Sequence, residues 1–457
     1  MKNYRITAFL QAACLLMTGA GTVLPTVQNY ALTALAADYI EEEAGDYTIH
    51  RYETYIEIAQ YNGTDTEVTV PDRISDLPVI SIGNWAFSVH DVFGESNTER
   101  ITSVTLPKTL VNIGQYAFHN CCKLRSIVIP DSVTTISGCA FDGCTALADV
   151  QLPKKLKAIT ASLFNDCTSL TAINIPDTVN EFDLRAFNGC SALTAVSIPA
   201  NAQLGKEIFA NCTALKDVTI PEGVTLQEGQ GLFMNCKSLE TISLPESFTM
   251  IADEMFSGCS KLKEITIPET CTSVNEKAFY NCSALTDVVV PAKVTKIEDS
   301  AFRDCERLEK LTILNDDCWL IDHSFALTGS AIVSNYTLNS QSYYNGVVCG
   351  HAGSAAQQYA EKFELDFEVI GAGTAAAARG DANSDGQIGI EDAQLSLNAY
   401  VDSMAGFDSK LTEEQYKAAD INGDGTISVE DAQLILLYYV QNTVAGIPTA
   451  WDDLLGS

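Results

Sequence analysis

The chain has 457 residues, enough for more than one domain, and carries 59 acidic against 27 basic side chains for a formal charge of −32. That balance excludes a nucleic-acid surface, which needs cations to neutralise phosphate. It suits a self-repelling soluble surface, and also a protein whose carboxylates hold calcium. In chain order, Lys2 and Arg5 open a basic stretch, an apolar run follows as far as Leu24, and Ala34-x-Ala36 offers a cleavage site. Residues 1–36 are therefore predicted to be a secretory signal peptide, not a membrane span. Cys14 lacks the upstream apolar residue of a lipid-anchor signal, because Gln11 stands there. No later segment is apolar enough to cross a bilayer, so surface attachment is expected to run through a partner.

A repeat of 23 residues fills the middle of the chain. "AFHNCCKLRSIVIP" begins at Ala117, "AFDGCTALADVQLP" at Ala140 and "LFNDCTSLTAINIP" at Leu163, and the pattern continues to "AFRDCERLEKLTIL" at Ala301. An earlier copy at Trp85 is followed by an insertion around "SVHDVFGESN", and a first rung reads "EVTVP" at Glu67. Each unit contains Leu-x-x-Ile-x-Ile-Pro, as at Leu124, Ile127, Ile129 and Pro130. The alternation predicts a short strand with one buried face, and Pro ends it because it has no N–H for the next rung. One unit cannot bury its own apolar face, whereas stacked units can.

The pattern resembles the leucine-rich repeats of the BspA-like type found in bacterial surface proteins. The resemblance implies an α/β-type solenoid of about eleven coils of ~23 residues with a continuous parallel sheet. The expected organisation is an N-terminal edge and first rung over 37–80, the solenoid over 81–335, a C-terminal cap over 336–370 and a small-residue linker over 371–378. "CGHAGSAAQQYAEKFELDFEVI" is expected to close the core with a short helix and a strand.

Nine of the 15 cysteines fall three residues after the repeat Phe, from Cys121 and Cys144 to Cys282 and Cys305. In a stack they form a column of parallel side chains whose Cβ vectors do not face one another as a disulfide requires. No Cys-x-x-Cys pair points to zinc. The expected state is a set of buried, space-filling thiols that bond a neighbouring carbonyl. A bridge from Cys122 to Cys139, or one involving Cys271 or Cys318, stays open. Free thiols in a secreted chain fit a reducing habitat.

The outward strand positions run from Ser103 and Thr105 through Ser126, Val128, Asp149 and Gln151 to Lys310 and Thr312, and none is aromatic. Such a face is poor for stacking sugar rings and better suited to a protein ligand, or to none. Aromatics elsewhere, such as Trp85, Trp319, Tyr343 and Tyr344, are read first as cap or edge packing. The five His include no His-Glu-x-x-His pair, and no Gly-x-Ser-x-Gly elbow or phosphate-binding loop occurs, so no enzyme is expected.

The C-terminal region carries two matching loops, 39 residues apart. The first presents Asp381, Asn383, Asp385, Gly386, Gln387 and Asp392 at positions 1, 3, 5, 6, 7 and 12. The second presents Asp420, Asn422, Asp424, Gly425, Thr426 and Asp431. Side-chain oxygens at 1, 3, 5 and 12 and a carbonyl at 7 wrap one calcium ion each. "RGD" at Arg379 is read as accidental, since Asp381 is needed as the first ligand. Two loop–helix halves of this kind resemble the type I dockerin of cellulosomes, here over 379–457 with "GIPTAWDDLL" folding back over the module. The resemblance implies a small all-α domain, two Ca2+ ions and a cohesin of a scaffoldin as partner. Its contact positions correspond here to Ile390, Glu391, Leu397 and Asn398 in the first half, and to Val429, Glu430, Leu436 and Leu437 in the second. The whole reads as a secreted, non-catalytic cellulosome component whose solenoid meets a protein or cell-surface ligand. An inhibitor or hydrolase of polysaccharide breakdown, or a plain spacer, is the alternative.

Overall fold

The computed structural model describes residues 39–88, 99–227, 229–320, 332–338, 341–370, 379–383, 387–406, 411–445, 447 and 449–455. The expected signal peptide, the linker 371–378 and Asp385 lie outside the described residues.

Every coil is organised around its Phe. Ten phenylalanines from Phe87 to Phe302 stack ring on ring, with Tyr61 at the head of the column; centroids lie 4.8 to 5.8 Å apart in near-parallel planes. These eleven rungs match the expected coil number, and the closing turn of the C-terminal cap brings the solenoid to about twelve turns. All ten Phe side chains are buried. From Phe118 on, two positions beside each Phe carry a left-handed backbone. Two residues after it, φ lies between 54° and 75° at Asn120, Gly143, Asp166, Gly189, Asn211, Asn235, Gly258, Asn281 and Asp304. Asn, Asp and Gly are the residues that tolerate this region, which explains the residue choice. Glycine serves a second purpose at Gly143, Gly189 and Gly258. There a Cβ would strike the side-chain oxygen of Asn120, Asp166 or Asn235 from the preceding coil.

Two parallel ladders flank this column. On the first, Glu67–Thr69, Ser103–Thr105, Ser126–Val128 and Asp149–Gln151 pair in order. Ala195–Ser197 pairs with Asp217–Thr219. Asp287–Val290, Lys310–Ile313, Val347–Gly350 and Asp366–Val369 finish the run. Central residues such as Ile127, Val150 and Val196 are buried while their neighbours face out, as the alternation requires. The intervening coils keep this burial at Ile242 and Ile265, with Ile173 half-buried, but not regular ladder pairing. The second ladder lies beyond the proline turn, where Val133 N–H donates to the Pro130 carbonyl at 2.9 Å. Two-residue strands such as Asn112–Ile113, Thr135–Ile136, Ala158–Ile159 and Glu181–Phe182 pair there in parallel. Sequence reading missed this second ladder, because two residues are too few to show alternation. The available signal was an apolar residue at the repeat period: Ile113, Ile136, Ile159 and Phe182.

The thiol column is as expected. The Sγ of Cys144, Cys167, Cys190, Cys212, Cys236, Cys259, Cys282 and Cys305 each donates to the Phe carbonyl of the previous coil at 3.1 to 3.3 Å, and Cys121 reaches the Phe87 carbonyl at 3.8 Å. None of the 14 described cysteines is in a disulfide, so the bridges left open between Cys122 and Cys139 or at Cys271 and Cys318 do not form. Cys271 and Cys318 instead occupy apolar core positions of the second ladder's approach, where their neighbours in register are Phe248 and Val294. Burial pushes the thiols of Cys212, Cys259, Cys271, Cys305 and Cys318 up to about 12, and those of Cys144, Cys167, Cys190, Cys236 and Cys282 well above their ordinary value.

Both ends of the solenoid are closed. At the N-terminal end Ile40–Ala44, Tyr47–Arg51 and Ile56–Tyr61 form an antiparallel meander whose outer strand carries Glu41, Glu42 and Glu43, charges that discourage edge pairing. At the C-terminal end helix α1 (Ala355–Lys362) starts on the Ser354 cap and buries Ala356, Tyr359 and Ala360 against the last coils. Asp366–Val369 then adds the final strand, so the cap has the expected helix and strand.

Candidate functional site

The C-terminal module is built from α2 (Ile390–Met404), α3 (Glu413–Ala419), α4 (Val429–Tyr439) with a π-turn over Val440–Val444, and α5 (Trp451–Leu455). The sequence reading placed one helix after each loop; α2 and α4 are those helices, and they pack on each other. Helix α3, ahead of the second loop, was not foreseen. Its signal was the capping box Thr412-x-x-Gln415, where Thr412 Oγ1 accepts the Gln415 N–H and Gln415 Oε1 accepts the Thr412 N–H.

The twelfth loop residue has the same structural task in both halves. Asp392 is buried; its Oδ1 accepts the Asn383 N–H at 2.9 Å and its Oδ2 the Gly389 N–H at 2.8 Å. Asp431 is buried; its Oδ1 accepts Ile421 N–H and Asn422 N–H at 2.8 and 3.2 Å, and its Oδ2 accepts Ser428 N–H and Oγ at 2.8 Å. One carboxylate thus ties the loop start to the helix N-terminus, and a short Asp side chain suits that span. In the second loop the chain wraps around Asp420, whose oxygens accept N–H groups from Gly423, Asp424 and Gly425 at 2.8 to 3.1 Å. Asp424 Oδ1 accepts both the N–H and the hydroxyl of Thr426, and these bonds hold its carboxyl below the usual range.

The donor chemistry suits a hard cation: three exposed or half-buried oxygen side chains, Asp420, Asn422 and Asp424, stand in one loop with the buried Asp431 at its far end. Among the described residues none of these three aspartates pairs with Lys or Arg. Also among the described residues, no three acidic, His or Cys side chains converge as closely as a bound metal demands. In the first loop Asp381 is buried, Asn383 half-buried and Gln387 exposed.

The module's own core is small. Its buried apolar residues form two clusters, Ala382, Ala399, Ala419 and Ile427 on one side and Ala393, Ile421 and Ile435 on the other. Four of the seven are alanines, which bury little area, so a metal or a further clasp has to stabilise the fold. The tail supplies a clasp, as expected. Trp451 stacks on Tyr438 with centroids 4.1 Å apart and planes at 14°, and its ring lies where a Cβ on Gly380 would be. The Arg-Gly-Asp stretch is part of the same closure: the Arg379 guanidinium donates to the Ile421 carbonyl and Gly380 N–H to the Ala418 carbonyl. Trp451→Ala is expected to lower the stability of the calcium-loaded module by about 2 kcal/mol, seen as an earlier loss of helical signal in urea, because it removes half-buried aromatic area and one stacked pair.

All eight expected docking residues are exposed. Ile390 is 51% and Leu397 40% accessible on α2, and Leu436 and Leu437 are 42% and 43% accessible on α4. On the solenoid face, Asp149, Gln151, Asp217 and Glu264 point outward as expected, whereas Ser103 and Lys310 are half-buried and Thr312 is buried. Thr312 is covered because its strand pairs with Val347–Gly350 of the cap, which sets Cys349 beside it. A shallow groove of about 710 Å³ crosses the first rungs of this face, lined by Thr105, Lys108, Val128, Pro130, Asp131 and Gln151. Of the aromatics read as packing residues, Tyr344 is buried and Tyr343 half-buried, but Trp319 is 66% accessible.

The family model of the BspA type leucine rich repeat region matches in six copies over residues 90–216 and 183–309, and the model of the dockerin type I domain matches residues 379–438. The chain is a BspA-type leucine-rich repeat protein with a type I dockerin. Solved structures similar to this dockerin-bearing repeat protein include a Treponema pallidum leucine-rich repeat protein, at 30% identity over 44% of this chain and 91% of that one, with a TM-score of 0.40. A Bacteroides ovatus leucine-rich repeat protein is 21% identical over 73% and 98%, with a TM-score of 0.47. A leucine rich cell surface protein of Faecalibacterium prausnitzii is 23% identical over 64% and 97%, with a TM-score of 0.39. No curated protein matches. Type I dockerins bind calcium and dock onto cohesins, which makes this repeat protein a cohesin-binding cellulosome component. Its two matched regions are both of non-catalytic types, and among the described residues no helix is long and apolar enough to cross a membrane.

Proposed function

We propose that the protein is secreted, has no catalytic activity of its own, and is carried to the cell-surface complex by its dockerin while the solenoid meets a protein or cell-surface ligand. The single observation that supports the docking half best is the pairing of exposed apolar stripes on α2 and α4 with two acidic loops that fix those helices. Each loop would hold one Ca2+: Asp381, Asn383, Asp385, Asp392 and the Gln387 carbonyl in the first, and Asp420, Asn422, Asp424, Asp431 and the Thr426 carbonyl in the second. The ions supply positive charge that gathers the loop carboxylates and so orders a module whose alanine-rich core is too small to do so alone. Ile390, Glu391, Leu397 and Asn398, or Val429, Glu430, Leu436 and Leu437, then present an apolar surface edged by one Glu to the cohesin. The halves differ at the second pair, Leu-Asn against Leu-Leu, so docking favours the more apolar α4.

Calorimetry of the full chain with a panel of scaffoldin cohesins tests this. Binding is expected in calcium and absent with chelator, and Leu437→Asp is expected to weaken it at least tenfold, roughly the cost of a lost anchor residue. Calcium-independent binding, or no binding to any cohesin, overturns the assignment.

A further inference from the structure

Building on the reading that the solenoid meets a protein ligand, we propose that its first coils hold an extended acidic peptide of that partner, seated in the groove over Val128 with its carboxylates on Lys108, Lys155 and Arg125. The groove of about 710 Å³ crosses three rungs here, Thr105, Val128 and Gln151, with Lys108, Pro130 and Asp131 toward one end. The chain as a whole is acidic, but these coils are not. Residues 101–163 carry Lys108, Lys123, Arg125, Lys154, Lys155 and Lys157 against Asp131, Asp142 and Asp149, six to three, where the whole chain has 27 to 59. All six cations are exposed.

The nearby acids are largely committed. Asp131 Oδ1 accepts the Lys154 N–H at 3.0 Å and its Oδ2 lies 3.3 Å from Lys154 Nζ. Asp142 sits on the Phe turn, where it faces His119 and accepts from the Asn165 amide. Asp72, one rung earlier, accepts the backbone N–H of Lys108 at 3.0 Å. Among the described residues, Lys108, Lys123, Arg125, Lys155 and Lys157 have no carboxylate within ion-pair distance. Register then sets cations at both ends of one strand. Arg125 precedes Ser126–Val128, while Lys108 shares the column of Asp131 just past the proline and Lys155 that of Ser132, one coil on. From Arg125 to Pro130 an extended chain spans about 16 Å at ~3.3 Å per residue, which matches a ligand segment of about five residues.

Val128 supplies the apolar contact, with 58% of its surface accessible. Its register position holds Thr, Gln, Asn or Ser in the other coils except at Val289, where Asp287 and Glu264 point outward in place of the cations. An aliphatic centre between unpaired cations complements a peptide whose aliphatic residues are flanked by Asp or Glu. A chain of uronate sugars is also anionic, but no aromatic ring lines the groove to face it. Nucleic acid would meet a chain of charge −32.

The test titrates the full chain, in chelator so that docking is off, into three labelled heptapeptides, DDIVLDD, SSIVLSS and DDSGSDD, and reads fluorescence anisotropy. Saturable binding is expected for DDIVLDD, roughly fivefold weaker in 500 than in 50 mM NaCl because exposed charges are screened. The other two peptides should bind roughly tenfold more weakly, since each lacks one half of the match. Lys108→Glu/Lys155→Glu should cost roughly tenfold and Val128→Ser roughly fivefold, while Lys293→Glu, exposed on a distant coil, should change nothing. No saturable binding of DDIVLDD, equal binding of SSIVLSS, or an equal loss with Lys293→Glu sinks the proposal. So does a galacturonate heptamer that binds more tightly and displaces the peptide, or light scattering that shows a dimer dissociated by Lys108→Glu/Lys155→Glu, which makes the occupant a second copy. Labelled full chain is also applied, in chelator, to cells of a cellulosome-bearing bacterium. Adhesion without peptide binding overturns the acidic-peptide site alone; absence of both overturns the solenoid's ligand role as well.

Discussion

Raising the pH from 7.5 to 10 is expected to unfold the solenoid, with almost no change in stability below pH 8. The cause is the thiol column. In an unfolded chain a cysteine ionises near ~8.5. In the folded column burial holds Cys212, Cys259 and Cys305 at about 12 and their neighbours well above the ordinary value. Between those two values the unfolded state binds fewer protons than the folded one, so stability falls as pH rises. Each thiol then costs about 1.4 kcal/mol per pH unit, or about 2 kcal/mol by pH 10. Nine such groups together exceed the roughly 5–15 kcal/mol by which domains are usually stable. Circular dichroism followed from pH 7.5 to 11 checks this, and an urea midpoint that stays constant to pH 10 contradicts it. A triple variant with Cys144, Cys167 and Cys190 as Ala should be less stable at pH 7.5, since three small cavities open, yet lose less on going to pH 10. The same burial predicts that a thiol reagent at pH 8 leaves the column unlabelled until denaturant is added.

The second large effect is expected at Phe187. Its ring is buried between Phe164 and Phe209, with centroids 5.5 and 5.6 Å away and planes at 13° and 4°. Phe187→Ala removes the transfer energy of a buried ring, leaves a cavity and breaks two stacked pairs, for a cost of about 3–5 kcal/mol. A solenoid is held by contacts between neighbouring coils, so a weak interface in the middle separates the array into two segments. Urea unfolding of the variant should become biphasic, with the wild type showing a single steeper transition. Thr194→Ala, seven residues on in the same coil and exposed, should change stability by less than ~0.5 kcal/mol. A Phe187→Ala stability change within that same margin would remove the ring column from its place as the organising core.

Several features could be read directly from residues. The 23-residue spacing, Leu-x-x-Ile-x-Ile and the following Pro determined the first ladder, because strand alternation and the loss of a donor at Pro are local properties. The Cys spacing determined a column, since a residue at constant position in a stack recurs at every coil. The two loops stand out because oxygen side chains recur at the intervals that calcium chemistry demands, and the structure places Asp392 and Asp431 in the same tie between loop and helix. Glycines at 143, 189 and 258 looked like ordinary turn residues in the chain; their reason is the neighbouring coil's Asn or Asp side chain, more than twenty residues away.

What only the tertiary structure decided are the features that depend on contact between coils or between distant segments. The second ladder is made of two-residue strands that have no period of their own and exist only because the coil before supplies their partners. Thr312 lies on an outward register position yet is buried, because the cap strand Val347–Gly350 comes to lie alongside. Trp85 and Tyr116 stand 31 residues apart, beyond the regular period because of the insertion between them, and only the stacking of their coils brings the rings to 4.1 Å. Sequence determines what each coil can bury; which side chains then meet is set by the register in which coils stack, and that register is a property of the assembled solenoid.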